Sequence, residues 1–397
     1  MIIRVGGNQS YAHYSILIGV SSLLPFLDFG IGYKVNSIIL DHHAMGNVDV
    51  KNELSRCATI LVCISTGSIL ISFFLYGVGV FEKLTIFGFE TSDSFLIEII
   101  LVLTFINVPL SLGSRILFAE GKVLRPQLIG LGGTLLTLST LPLLRIMQLN
   151  QIKWLSVIPI LTMVVVNSIL FLHVQAKSNF RITLSLKFID SNLKNIFNYG
   201  LKATIVTSFF PVILQIPKYV LGFSNSISEI AAYSIWLLFV QPIISVSAFH
   251  TFSVLPRIRK TSNRLKQKKD ILENYFYGSL VGIGLAVVLN ALVLINPFSK
   301  ITLPSSSLSF YLIVLIPLYV FRQNVIATFT NIGNLKLLIG TYAISLIISL
   351  GIYISLDNFT ASNSILTFLI TESLISFFIT ILIFRRHLNF LWAVKSN

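Results

Sequence analysis

LSVIPILTMVVVNSILFLHVQ, residues Leu155–Gln175, decides the class of fold: 21 positions without one Asp, Glu, Lys or Arg. A bilayer core of ~30 Å takes about 20 mostly apolar residues as a helix, because only a helix or a closed barrel satisfies its backbone within lipid. Blocks of the same kind recur along the chain. They read as spans Tyr11–Gly32, Arg56–Val80, Ser94–Phe118, Gln127–Ile146, Leu155–Gln175 and Phe197–Leu221. Then come Ile230–Val254, Tyr275–Ile295, Leu308–Thr330, Leu337–Leu356 and Ile365–Phe384, eleven in all. Composition agrees, with 54% hydrophobic and 11% charged residues; a soluble domain carries about 25% charged. The sequence therefore predicts an all-α, multi-pass integral membrane protein.

The net charge of +14 does not point to nucleic acid, because the bases lie between spans rather than on a soluble module. Counting loop Lys and Arg at alternate span ends gives 20 on one side and six on the other. The basic side faces the cytoplasm. The C-terminus is then cytoplasmic, and eleven spans put Met1 outside, although the residues up to Gln9 show no export signal.

An internal repeat accounts for that parity. Ala12-His13-Tyr14-Ser15-Ile16 opens the first span, and Ala231-Ala232-Tyr233-Ser234-Ile235 opens the seventh. The third span has Pro109-Leu110 ahead of Arg115; the ninth has Pro317-Leu318 ahead of Arg322. Two halves in the same orientation are the parallel repeat of many transporters. The second half has a span, Phe197–Leu221, before its motif, and the first half has none, so a twelve-span plan lacking its first helix is expected. The halves are residues 1–175 (five spans) and 197–397 (six spans), joined by a cytoplasmic linker at 176–196.

Tyr11 to Ile16, Ser22-Leu23-Leu24-Pro25-Phe26-Leu27-Asp28-Phe29-Gly30-Ile31-Gly32 and Leu117-Phe118-Ala119-Glu120-Gly121-Lys122 resemble segments of the polysaccharide-export flippases. These are the Wzx-type O-antigen translocases of the multidrug/oligosaccharidyl-lipid/polysaccharide (MOP) superfamily. The resemblance extends along the whole chain in length and span number and departs from the family at the missing first helix. It implies two helical bundles around a central cavity, alternating access, and residence in the bacterial inner membrane. It implies a cargo of undecaprenyl-pyrophosphate-linked oligosaccharide, and as partners membrane lipids, a polysaccharide polymerase and a chain-length regulator.

A charge at mid-bilayer costs roughly 2.5–3.5 kcal/mol on insertion scales, so charges inside spans line water, pair, or reach the headgroups. Arg322 lies about 12 Å from the cytoplasmic end of its span at ~1.5 Å per residue. Arg115 and Lys202 sit nearer that end. Guanidinium and ammonium groups suit phosphate oxygens, so these three are candidate pyrophosphate ligands. Lys218, farther out on the span of Lys202, is a later candidate. The competing readings are snorkelling for Arg115, Lys202 and Lys218, and a carboxylate partner for Arg322. Glu372, Glu98 and Asp28 are candidates for proton or sodium coupling. Against that stand pairing of Glu372 with Arg322 or Lys202, water access for Glu98, and a helix-orienting role for Asp28 beside Gly30 and Gly32. Pro211 and Pro217 mark the sixth span as the helix expected to bend during gating, with a fixed packing kink as the alternative.

No cofactor or metal site is expected. Cys57, Cys63 and the His42-His43 pair are too few ligands, and no phosphate-binding Gly-rich signature for nucleotide hydrolysis occurs. Three other functions compete with this reading. A multidrug exporter of the same superfamily predicts carboxylates in excess of bases within the spans. A polysaccharide polymerase or ligase predicts a large external loop, and the longest here is Phe81–Asp93. The third is an inactive flippase fragment.

Overall fold

The computed structural model of the 397-residue chain describes residues 14–15, 28–45, 50–81, 94–146, 155–177, 182–184, 196–206, 335–355, 371–379 and 381–382. Between 214 and 322 it describes 214–215, 230, 233–234, 237, 269–270, 273, 276–278, 280–284, 287–288, 291, 318–320 and 322. The protein is an all-α membrane protein, and among the described residues there is no strand. The chain divides into two compact units, Met1–Ala231 and Ala232–Asn397. The division falls after the sixth span, whereas the sequence reading put a linker at 176–196 before it.

In the first unit the helices are α1 (Ile31–Met45), α2 (Val50–Gly77), α3 (Ser94–Leu110), α4 (Leu112–Ala119), α5 (Leu124–Ile146) and α6 (Val157–Lys177). In the second, α7 spans Leu335–Ser355, and residues 371–379 are helical. Among the described residues, Val50–Gly77, Ser94–Ala119 (α3 and α4 together) and Val157–Lys177 are long and apolar enough to cross a membrane. Their outward faces carry exposed apolar residues such as Leu70, Phe74, Phe95, Ile106 and Leu172, as expected where the solvent is lipid.

The stretch after Gly32, read from the sequence as a cytoplasmic loop containing His42-His43, is instead helix α1. Ile31, Val35, Ile38 and Ile39 recur at helical spacing and are buried, against α2 and α4. With Leu54, Cys57, Leu61, Leu112, Ile116 and Val174 they form the apolar core of this end of the unit. The first span therefore does not run smoothly to Gly32. It breaks in a turn at 28–30, where Phe29 (φ 47°) and Gly30 (φ 67°) are both left-handed.

Pro109 lies inside α3 and has no N–H to donate to the Phe105 carbonyl four residues back. That carbonyl accepts the Ser65 hydroxyl of α2 at 2.6 Å. A neighbouring helix thus satisfies the group that proline frees, as a span in lipid requires. Further on, α4 closes on Gly121 (φ 77°), with the Gly121 and Lys122 amides donating back to Phe118 and Leu117. That is the glycine-capped helix end expected of Glu120-Gly121-Lys122.

Other polar pairs tie the helices. Asn167 of α6 donates to Asn107 of α3 at 2.8 Å, and Thr137 of α5 donates to Thr162 of α6 at 3.2 Å. Beyond α6, the Gln175 side-chain amide bonds both backbone groups of Ile182, each at 3.1 Å. The Thr183 amide donates to Ser55 of α2 at 3.0 Å.

Candidate functional site

Among the described residues, four of the charges inside the spans are held as two ion pairs, one in each unit. In the first, Asp28 is buried at the turn before α1. Its Oδ1 accepts the Gly30 amide at 2.7 Å, and its Oδ2 accepts Arg115 Nη2 of α4 at 2.9 Å. The guanidinium lies over the Tyr33 ring, with Cζ 5.1 Å from the ring centre. Gly32 leaves the space that the Arg115 side chain fills; a Cβ there would overlap it. Gly30 faces Gly200 of helical residues 196–206, and a Cβ on either would run into the other's backbone stretch. Beside this contact, Lys34 Nζ sits 5.4 Å from the centre of the Tyr199 ring.

Asp28, Arg115 and Gly200 belong to spans one, three and six, whose ends here were assigned to the cytoplasm from loop charge. The Asp28–Arg115 and Gly30–Gly200 contacts bring these three ends together. At the other end of the unit, Glu98 of α3 is buried and accepts the Ser72 hydroxyl of α2, with both carboxylate oxygens 2.7 Å away. Of the two readings of Glu98, simple access to water does not hold: the residue is 3% exposed and faces α2.

In the second unit, Arg322 and Glu372 form an ion pair, with side chains 1% and 0% exposed. Arg322 Nη1 also donates to Ser376 at 3.3 Å. Its Cζ lies 4.4 Å from the centre of the Tyr342 ring on α7. Ser345 and Ser349 of α7, Ser373, Ser376 and Tyr319 are buried in the same unit. Ser345 is 3.5 Å from Glu372 Oε1. So each arginine that follows a Pro-Leu pair in the repeat is held by one carboxylate and one tyrosine face. The carboxylates come from different places in the two halves: the end of the first span for Arg115, the eleventh span for Arg322. Desolvated guanidinium groups gain from an aromatic face as well as from a carboxylate.

The structure thus joins Arg322 to Glu372 and Arg115 to Asp28. Lys202 is half-buried on the helix that carries Gly200. Lys218, Pro211 and Pro217 lie outside the described residues. Tyr33, Tyr342, Ser72 and Ser376 escaped the sequence reading because Tyr and Ser in an apolar run give no signal of partnership. Asn107 and Asn167 were findable, since a side-chain amide inside a span calls for a partner. Among the described residues no group of three or more His, Cys, Asp or Glu is placed to hold a metal.

No family model matches the chain, and no curated protein matches it in sequence. Solved structures do. It is similar to the MATE multidrug transporter DinF-BH in complex with R6G, with a TM-score of 0.70, 16% identity, and coverage of 97% of this chain and 89% of that one. It is also similar to a multidrug resistance MATE family transporter of the MOP superfamily in two forms. The inward-facing form gives a TM-score of 0.66 at 17% identity, covering 100% of this chain and 93% of that one. The outward-facing form gives 0.62 at 16%, covering 99% and 96%. The chain has the fold of the MATE transporters of the MOP superfamily.

Proposed function

We propose that this protein is a transporter working by alternating access that carries an undecaprenyl-pyrophosphate-linked oligosaccharide from the inner to the outer leaflet of the bacterial inner membrane. The observation that carries the reading is the Arg322 guanidinium, buried within the second unit and held by one carboxylate, one hydroxyl and one aromatic face. A pyrophosphate offers the same planar donor fork more charge than a single carboxylate does. Cargo and Glu372 then compete for Arg322, and Glu372, when displaced, takes a proton or a sodium ion. Arg115, with Asp28 as its exchangeable partner, and Lys202 collect the headgroup at the cytoplasmic end. Lys218 receives it late, and the sixth span bends at Pro211 and Pro217. The resemblance of residues 11–16, 22–32 and 117–122 to flippase segments supports this cargo, as does a set of span cations (Arg115, Lys202, Lys218, Arg322) at least as numerous as the span carboxylates (Asp28, Glu98, Glu372).

The second reading, drug export, is favoured by the R6G complex of a protein of the same fold. A cationic drug would then take Glu372 from Arg322. Deletion of the gene separates the two. Loss of surface polysaccharide, with lipid-linked units stranded on the cytoplasmic leaflet, is the expected outcome. Normal polymer together with raised drug sensitivity would replace flipping by export.

A further inference from the structure

At the ends of α5 and α6 that carry their bases, four side chains from three elements converge. Arg125 of α5 and His173 of α6 approach at 2.8 Å, Nη1 to Nε2. A guanidinium has no lone pair, so it donates and the imidazole accepts as a neutral ring. Lys177 stands one helical turn beyond His173 on α6 and Lys122 three residues before Arg125 in the α4–α5 link, and both are exposed. The neighbouring carboxylate, Glu120, is already 2.7 Å from Lys122. Arg125, Lys177 and Lys122 against Glu120 leave two positive charges on the cluster. Down the bilayer-facing side of the same helices run exposed apolar side chains: Leu124, Leu128 and Leu131 on α5, Ile169 and Leu172 on α6.

We propose that this corner is a docking site for a dianionic phospholipid. Its two phosphates sit among Arg125, Lys177 and Lys122, and its acyl chains lie on the leucine face. Charge selects the headgroup: two phosphodiesters match the surplus of two. The apolar face selects a lipid over a soluble phosphate, and over a sugar-bearing cargo that needs a wet path. Each base near a membrane surface contributes about fivefold to binding an anionic lipid, the equivalent of ~1 kcal/mol. The site is independent of which cargo the protein carries.

The test is native mass spectrometry of the purified full chain in detergent, titrated with cardiolipin and, separately, with phosphatidylcholine. The expected result is one retained cardiolipin and no retained phosphatidylcholine. Cardiolipin affinity should fall about 25-fold in the Arg125→Gln/Lys177→Gln double variant, at about fivefold per charge, and about fivefold in Lys177→Gln alone. The Arg125→Lys/Lys177→Arg exchange should keep it. Equal retention of the two lipids, or unchanged affinity in the double variant, would overturn the proposal. So would stoichiometric displacement of cardiolipin by undecaprenyl pyrophosphate, which would make the corner a cargo site.

Discussion

Replacing Glu372 by Gln isolates what the buried pair does for the fold from what Arg322 does for transport. The substitution keeps the shape and removes the charge opposite a guanidinium that is 1% exposed. The Ser376 hydroxyl and the Tyr342 face remain, and neither neutralises a full charge. Breaking a buried pair from one side costs about 3–5 kcal/mol, whereas replacing both partners by apolar residues of similar volume is often neutral. For a unit of this size that is a fall in thermal midpoint on the order of 10 °C. The assay is thermal unfolding in detergent of Glu372→Gln, Arg322→Met and the Arg322→Met/Glu372→Leu double variant. Both single variants should melt early, and the double variant should melt close to the parent. Transport should be absent from the double variant despite its stability. A double variant as unstable as the singles would refute the pairing argument, and one that still transports would remove Arg322 from cargo binding.

Ser65→Ala should cost about 1–3 kcal/mol, because it strands the Phe105 carbonyl. In a Pro109→Ala background, which restores the backbone donor, the same change should cost under about 1 kcal/mol, and a double-mutant cycle of unfolding midpoints reads the coupling. Gly200→Ala should destabilise by about 1–3 kcal/mol through overpacking against the Phe29–Gly30 backbone; Gly200→Ala at parental stability would show that the two segments are not held together.

The spans were legible because lipid imposes one requirement on every one of them. Runs read as Arg56–Val80, Gln127–Ile146, Leu155–Gln175 and Leu337–Leu356 became α2, α5, α6 and α7 with ends moved by at most six residues. Helix α1 is not legible by length and charge, because Lys34, Asp41, His42 and His43 interrupt its apolar run, although Ile31, Val35, Ile38 and Ile39 carry the 3.6-residue period. The site residues were legible as types and not as pairs. That Arg322 needs a partner follows from its depth, but whether Glu372 pairs with Arg322 or with Lys202 depends on which spans stand side by side. Fifty residues separate the two, and 87 separate Arg115 from Asp28; nothing local specifies either meeting. The break in the first span had a local signal in Asp28-Phe29-Gly30. Its reason, the approach of Gly200, lies in the sixth span.

Because α1 is a wall of the first unit and not a connector, the chain between the first two hydrophobic segments offers no spare length. A tag, epitope or protease site placed between Gly32 and Leu40, where hydropathy alone would put it, would enter a close-packed interior. It would report on a damaged protein, and engineering of this molecule should choose other places.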